Sequence, residues 1–301
     1  MFDIQVNGYG GVDFNADGLS VAEFERACER LEADGVGAIL ATVITTSLDA
    51  MSGRIRRIAE AVEQSAVVGR VIRGIHVEGP FISGAAGYVG AHPTRHVLPA
   101  TPDAARRLVD AGAGLVKLLT LAPEHDAGHA TTRSLVDSGV VVAAGHCNPA
   151  LDELDAAIDA GLSMFTHLGN GCPREQDRHD NIINRVLSRS RALWVCFIAD
   201  GVHVPLFALR NYLSVVGVDR AIVVSDAIAA AGQGPGVYSL SGMDVVVDED
   251  LATWSADRKN LMGSACPLPL GVANLVERLG VSEDDATRMT HHNPWRALGG
   301  T

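Results

Sequence analysis

The chain has 301 residues, a formal net charge of -12 and a hydrophobic fraction of 47%. That length suits one large α/β barrel, and the acidic balance excludes the clustered Lys and Arg that nucleic-acid binding needs. The longest apolar runs are strand-length, which excludes a membrane-spanning helix, and the start Met1-Phe2-Asp3-Ile4 has no signal-peptide pattern.

Strands are expected at 3–6, 38–42, 71–75, 115–120, 140–144, 163–165, 193–198 and 221–224, where short apolar, often β-branched runs occur. Helical periodicity fills the gaps at 20–34, 48–64, 103–111, 151–160 and 205–213. Alternation of this kind implies a (β/α)₈ barrel of parallel strands buried on both faces. Residues 232–262 interrupt the rhythm with Gly and Pro around Val237–Leu240 and Asp244–Val247, which predicts a β-hairpin insertion after the eighth strand. Two last helices are expected at 269–279 and 282–290. No repeat or linker divides the sequence, so residues 1–301 read as a single barrel domain. The five cysteines (Cys28, Cys147, Cys172, Cys196 and Cys266) show no C-x-x-C spacing, which points to free thiols and a cytoplasmic location.

Catalysis on such a barrel occupies the carboxyl ends of the strands. Those ends carry Gln5 and Asn7, Glu78, His146, His167 and Asn170, Asp200 and His203, and Asp226. A single histidine at a strand end is ordinarily structural, but so many polar side chains on one rim have no structural reason to gather there. Glu78, His146 and His167 form a His₂-carboxylate set that leaves one coordination position open for water. Zinc suits these donors best, and iron, cobalt or manganese could also occupy them. Asp226 then fits a general base that takes the water proton and returns it to the leaving group, against the alternative of a helix N-cap. His76, inside its strand, reads as packed or hydrogen-bonded. Lys117 is weighed as a carbamylated bridge between two metals. The amides Gln5 and Asn7 are poor ligands where a second metal would want two histidines, so one metal is expected and Lys117 reads as a buried, paired lysine.

The stretches Asp3-Ile4-Gln5-Val6-Asn7-Gly8, His76-Val77-Glu78-Gly79-Pro80-Phe81 and Gly90-Ala91-His92 resemble the N-acetylglucosamine-6-phosphate deacetylase family of the amidohydrolase superfamily. So do Thr120-Leu121-Ala122-Pro123-Glu124, Gly145-His146, Thr166-His167-Leu168, Ile198-Ala199-Asp200-Gly201-Val202-His203, Ser225-Asp226-Ala227 and Gly263-Ser264, in family order across almost the whole chain. The resemblance implies metal ligation by Glu78, His146 and His167 and acid/base catalysis by Asp226. It implies a contact of His92 beside the acetamide, of Asn170, Gly171 and His203 with the sugar, and of the Met262–Gly263 loop over it. It further implies a homodimer in which Arg178 reaches the 6-phosphate across the interface. The Gln-x-Asn form of the first strand resembles the family's single-metal branch.

Departures from the family concentrate at the phosphate end. Asn170-Gly171-Cys172 stands where the family usually reads Asn-Ala-Met, and residues 174–181 match its Gly-Arg-Glu-Pro-Gly run only at Arg178. Cys147 replaces a usual Ser or Thr, followed by Pro149, and no counterpart of the family's small β-domain is read in these residues. The expected reaction is metal-dependent deacetylation of N-acetylglucosamine 6-phosphate, a small-molecule substrate. Unphosphorylated N-acetylglucosamine or a galactosamine epimer is the first alternative. A cyclic amidase or aminoacylase, or a non-catalytic sugar-binding barrel, are the others.

Overall fold

The computed structural model describes residues 1–300. Eight strands form one parallel sheet in chain order: β1 Phe2–Val6, β2 Ala38–Ile44, β3 Ile72–Glu78, β4 Val116–Leu121, β5 Val141–Ala144, β6 Met164–Phe165, β7 Trp194–Ile198 and β8 Ala221–Val224. The sheet closes between its first and last strands through a parallel bridge of Val6 with Ala227. The Asp3 carboxylate reinforces the seam lower down by accepting from the Ser225 backbone N–H at 3.2 Å.

Helices pack outside the strands, and their starts follow from the sequence. Val21–Ala33 (α1) begins with a reciprocal capping box between Ser20 and Glu23. Leu48–Gln64 (α2) is capped by the Ser47 hydroxyl. Ala66–Val71 (α3) follows directly and consumes Val71, which had been expected to open the third strand. Pro102–Ala111 (α4) has Thr101 as its cap and proline at its first position. Ala130–Asp137 (α5) and Ile182–Ser188 (α7) were not anticipated, whereas Leu151–Asp159 (α6) and Leu206–Val216 (α8) lie where periodicity puts them. The last expected helices are broken: Leu268–Ala273 (α9) runs into a π-helical turn at Asn274–Arg278, and Glu283–Thr287 (α10) runs through another at Arg288–His292 into Asn293–Ala297 (α11).

Two apolar layers follow from strand alternation. Val6, Ile39, Ala41, Val77, Leu119 and Phe197 face the helices. Phe2, Ile4, Leu40, Leu118, Met164, Ile198 and Val224 form a separate cluster that also includes Ala297 of α11. Trp295, on the same helix, packs on Phe2 with ring centroids 4.4 Å apart. With the amino-terminal end filled in this way, the carboxyl ends of the strands are left for the polar residues.

Two irregularities decide which side chains reach the interior. Four residues of β1 (Asp3 to Val6) span three of β2 (Ile39 to Ala41), and this bulge leaves Gln5 pointing at Glu78 and Thr166. A second shift lies between the Ile75–Val116 and His76–Leu118 pairs, and Lys117 is the extra residue. Its side chain is exposed near the amino-terminal end of β4, and its Nζ donates to the Gly114 carbonyl at 2.9 Å. The expectation of a buried, paired Lys117 is therefore corrected, and a lysine bridging two metals at the carboxyl rim is ruled out. His76 is buried as expected, with Nε2 2.8 Å from the Thr120 hydroxyl.

The insertion after β8 is a three-stranded antiparallel sheet, one strand more than expected: β9 Gly236–Leu240, β10 Met243–Val247 and β11 Thr253–Ser255. Leu240, Val245 and Val247 pack with Ile44, Ile228 and Met262 in a third apolar cluster, which seats this small sheet beside the barrel mouth.

Candidate metal centre and substrate cavity

Glu78 ends β3, and His146, His167 and Asp226 each lie two residues beyond β5, β6 and β8. These last three share a backbone feature that the sequence does not advertise: φ is +51° at His146, +28° at His167 and +52° at Asp226. Left-handed conformations cost non-glycine residues about 1–3 kcal/mol each and persist only where their surroundings enforce them. Here they turn the ends of β5, β6 and β8 inward over one mouth. Asp226 precedes no helix, so the N-cap alternative falls away.

Donor atoms converge on the Glu78 carboxylate. His167 Nε2 lies 3.0 Å and His146 Nε2 3.4 Å from Glu78 Oε1. His92, which arrives on a loop rather than a strand, places its Nε2 3.3 Å from His146 Nε2. One ligand atom each of Glu78, His92 and His146 lies within 4.8 Å of the others. His146 Nδ1 is 2.8 Å from the Tyr88 carbonyl oxygen, which can only accept, so Nδ1 carries the proton and Nε2 presents its lone pair to the cluster. Glu78 and His167 are 3% and 2% exposed, and the buried Nδ1 atoms of His92 and His167 have no hydrogen-bond partner. Buried imidazole nitrogens gathered on a buried carboxylate, one of them in a fixed tautomer, fit a divalent cation.

The electrostatics agree with that fit. Burial alone would raise the Glu78 pKa, but hydrogen bonds and charge from His146 and His167 outweigh it and hold the carboxyl well below its ordinary value. Burial lowers the His167 pKa less than the Glu78 hydrogen bond and charge raise it. His92 is pushed down to about 3, first by burial and then by His146, so it is neutral at physiological pH. Asp226 is pushed up to about 6 by burial and by the Glu78 charge, against the opposing pull of His167, His203 and the Asn7 hydrogen bond.

Amides of the first strand secure the two carboxylates. Gln5 Nε2 donates to Glu78 Oε1 at 3.0 Å, while the Thr166 hydroxyl donates to Gln5 Oε1 at 2.8 Å and so orients the amide. Asn7 Nδ2 donates to Asp226 Oδ1 at 2.7 Å. Sequence reasoning treated both amides only as poor ligands and missed these roles. Their i, i+2 spacing was the available signal. Asp200, read in the sequence as a rim residue without a role, accepts from the Val202 and His203 backbone N–H groups and lies 2.6 Å from His203 Nδ1.

A cavity of about 520 Å³ opens above the cluster. Its lining includes Asn7, Glu78, His92, His146, His167, Asn170, Gly171, Arg174, His203, Asp226, Lys259 and Gly263. Gly171 has φ +61°, and a Cβ there would come 2.8 Å from His146 Nδ1. Gly263 has φ +58°, and a Cβ there would meet Ile228 at 2.5 Å and the Asp226 carbonyl at 2.9 Å. Both glycines let backbone approach the site closely. Met262 is buried in the third apolar cluster, behind the wall rather than on it. Arg178 is exposed and does not line the cavity of its own chain.

No protein-family model matches the chain. An N-acetylglucosamine-6-phosphate deacetylase of Bacillus subtilis is 30% identical over 301 residues, covering 99% of this chain and 74% of that protein. The Homo sapiens protein of the same name is 31% identical over 307 residues, covering 99% of this chain and 73% of its own length. Among solved structures, a mutant N-acetyl-D-glucosamine-6-phosphate deacetylase of Mycobacterium smegmatis in complex with N-acetyl-D-glucosamine-6-phosphate superposes with a TM-score of 0.88. Identity there is 32%, over 99% of this chain and 77% of the other. With a barrel that carries the convergent Glu78, His146, His167 and Asp226, and with relatives matched along nearly its full length, this chain belongs to the N-acetylglucosamine-6-phosphate deacetylase family.

Proposed function

We propose that this protein hydrolyses the acetamide of N-acetylglucosamine 6-phosphate, releasing acetate and glucosamine 6-phosphate. Glu78, His146 and His167 hold one divalent metal in this reading, and Asp226 moves the protons. The carrying observation is the approach of both imidazole Nε2 atoms to Glu78 Oε1 at the foot of a cavity that Asp226 also lines. Zinc is the metal we assign, because two imidazoles and one carboxylate suit it. A bound divalent ion supplies a Lewis acid for the acetyl carbonyl and lowers the pKa of an attacking water.

The remaining steps belong to the protein. Asn7 occupies one oxygen of Asp226 and leaves the other to accept the water proton. The same oxygen then delivers that proton to the sugar nitrogen as the C–N bond breaks, without which the amine would be a poor leaving group. Neutral His92 contacts the acetamide. His203 is oriented by Asp200 and, with Asn170 and Gly171, holds the sugar, while Gly263 borders it and Met262 supports that wall from behind.

The reading extends to a homodimer and a cytoplasmic location. Arg178 lies outside its own cavity, so its contact with a phosphate requires a second copy of the chain. All five cysteines are free, which suits a reducing compartment. Among the described residues no helix is long and apolar enough to cross a membrane.

Acetate release by metal-loaded and chelator-stripped protein tests the proposal, on N-acetylglucosamine 6-phosphate, its galactosamine epimer and free N-acetylglucosamine. Metal-dependent release, fastest on the first, is expected. No release from any of the three by metal-loaded protein overturns it.

A further inference from the structure

Two cations line the same cavity from different loops. Arg174 lies in the segment between β6 and α7, and Lys259 lies in the turn that follows β11. Both side chains are exposed, whereas the carboxylates of the lining, Glu78 and Asp226, sit with the histidines at its inner end. Charge is therefore graded along the cavity, from acid and imidazole inside to cation at the mouth, in a chain whose net charge is -12.

Each cation sits on an ordered loop. Arg174 follows Pro173, which leaves no room for a Cβ on the facing Gly87 (2.8 Å). Further along the same segment, the Asp177 carboxylate accepts from the His179 and Asp180 backbone N–H groups, and Arg185 Nε donates to Asp180 at 2.6 Å. The Lys259 turn is closed by Ser255 N–H donating to the Asn260 carbonyl at 2.9 Å and by a Trp254–Leu261 bridge. Lys259 pairs with Asp257 at 3.2 Å, with both side chains mostly exposed, and such pairs are weak and exchangeable. Arg174 makes no ion pair among the described residues.

The shape of the substrate links the two ends. In a pyranose ring C2 and C5 are opposite, so a group on C6 points away from the 2-acetamido group. With the acetyl carbonyl at the Glu78–His146–His167 cluster, a 6-phosphate is directed outward to the mouth.

We propose that Arg174 and Lys259 form an anion clamp, supplied by the same chain as the metal centre, that selects amino sugars bearing a 6-phosphate. Arg174 offers a planar fork to two phosphate oxygens, and Lys259 approaches as a point charge. The clamp rests on the deacetylase reading above. It differs from the Arg178 contact in needing no second copy of the chain.

The test compares kcat/KM for N-acetylglucosamine 6-phosphate and for free N-acetylglucosamine in native protein, Arg174→Gln, Lys259→Gln, the double variant and Arg178→Gln. The expected result is a native preference for the phosphorylated sugar that falls about 10-fold or more in Arg174→Gln and further in the double variant, through KM. A native preference that survives in the double variant overturns the clamp and leaves the deacetylase reading intact. So does a preference lost only in Arg178→Gln, which would place phosphate recognition on a second copy. Native protein that releases acetate equally well from both sugars overturns the phosphate reading itself, and the clamp with it.

Discussion

Asn7 donates from Nδ2 to Asp226 Oδ1 at 2.7 Å, tying the second residue past the last barrel strand to the first residue past the first. The bond stabilises the ionised carboxylate, which burial and Glu78 otherwise push up to about 6. In Asn7→Ala that restraint is gone, so the Asp226 pKa rises further. Because the base must be deprotonated to accept a proton, the acidic limb of the pH–rate profile moves to higher pH, and activity near that limb falls roughly tenfold. A profile that superposes on the native one would remove Asn7 from this role.

Asp226→Asn keeps the shape of the side chain but cannot take the water proton. Turnover is expected to fall by about 10²–10⁴-fold. Metal content, measured on the same sample, should stay at the native level, because Asp226 is not among the proposed ligands. Normal turnover would show that another group moves the proton.

Gln5→Leu removes the donor to Glu78 Oε1 and leaves the Thr166 hydroxyl without its acceptor. Loss of such a supporting contact typically weakens metal binding by about 10–100-fold. Competition with a chromophoric chelator reads that loss directly, without recourse to activity. Equal affinity in native and variant proteins would mean that Glu78 is held by its histidine neighbours alone.

Asp3 gives the fold a pH dependence. Its carboxyl is pushed up to about 7, chiefly by burial, although the Gln5 and Ser225 backbone hydrogen bonds oppose the shift. The folded pKa lies above the model-peptide value of 3.8, so the native state binds this proton more tightly than the unfolded chain. Its contribution is therefore fully present below about pH 4 and is lost as pH rises through about 7. Three pH units correspond to at most about 4 kcal/mol. Asp3→Asn stays neutral, so native protein should lose stability relative to this variant between about pH 4 and about pH 7 in urea unfolding. Parallel stability curves would show that Asp3 is ionised without cost.

Much of the site was legible because a barrel converts a one-dimensional feature, the residue at a strand's carboxyl end, into a position on a single rim. Glu78, His146, His167 and Asp226 could be picked out in this way, and so could His203 one turn further on. Short helices were less legible. Ile182–Ser188 has only 7 residues, too few for its periodicity to stand out from the irregular segment before it. Lys117 was misplaced because a bulge is an accident of register between two strands, and neither strand's composition reveals it.

By itself, then, the sequence determined the alternation of strands and helices, the helix caps and the types of donor at each strand end, since these depend on neighbours within one or two turns. Only the tertiary structure decided which donors meet. Gln5 reaches Glu78 across 73 residues and Asn7 reaches Asp226 across 219, through a bulge and a left-handed turn that local propensity disfavours. The same holds at the mouth, where Arg174 and Lys259 line the cavity and Arg178 does not. The direction of a loop side chain is set by packing between distant segments.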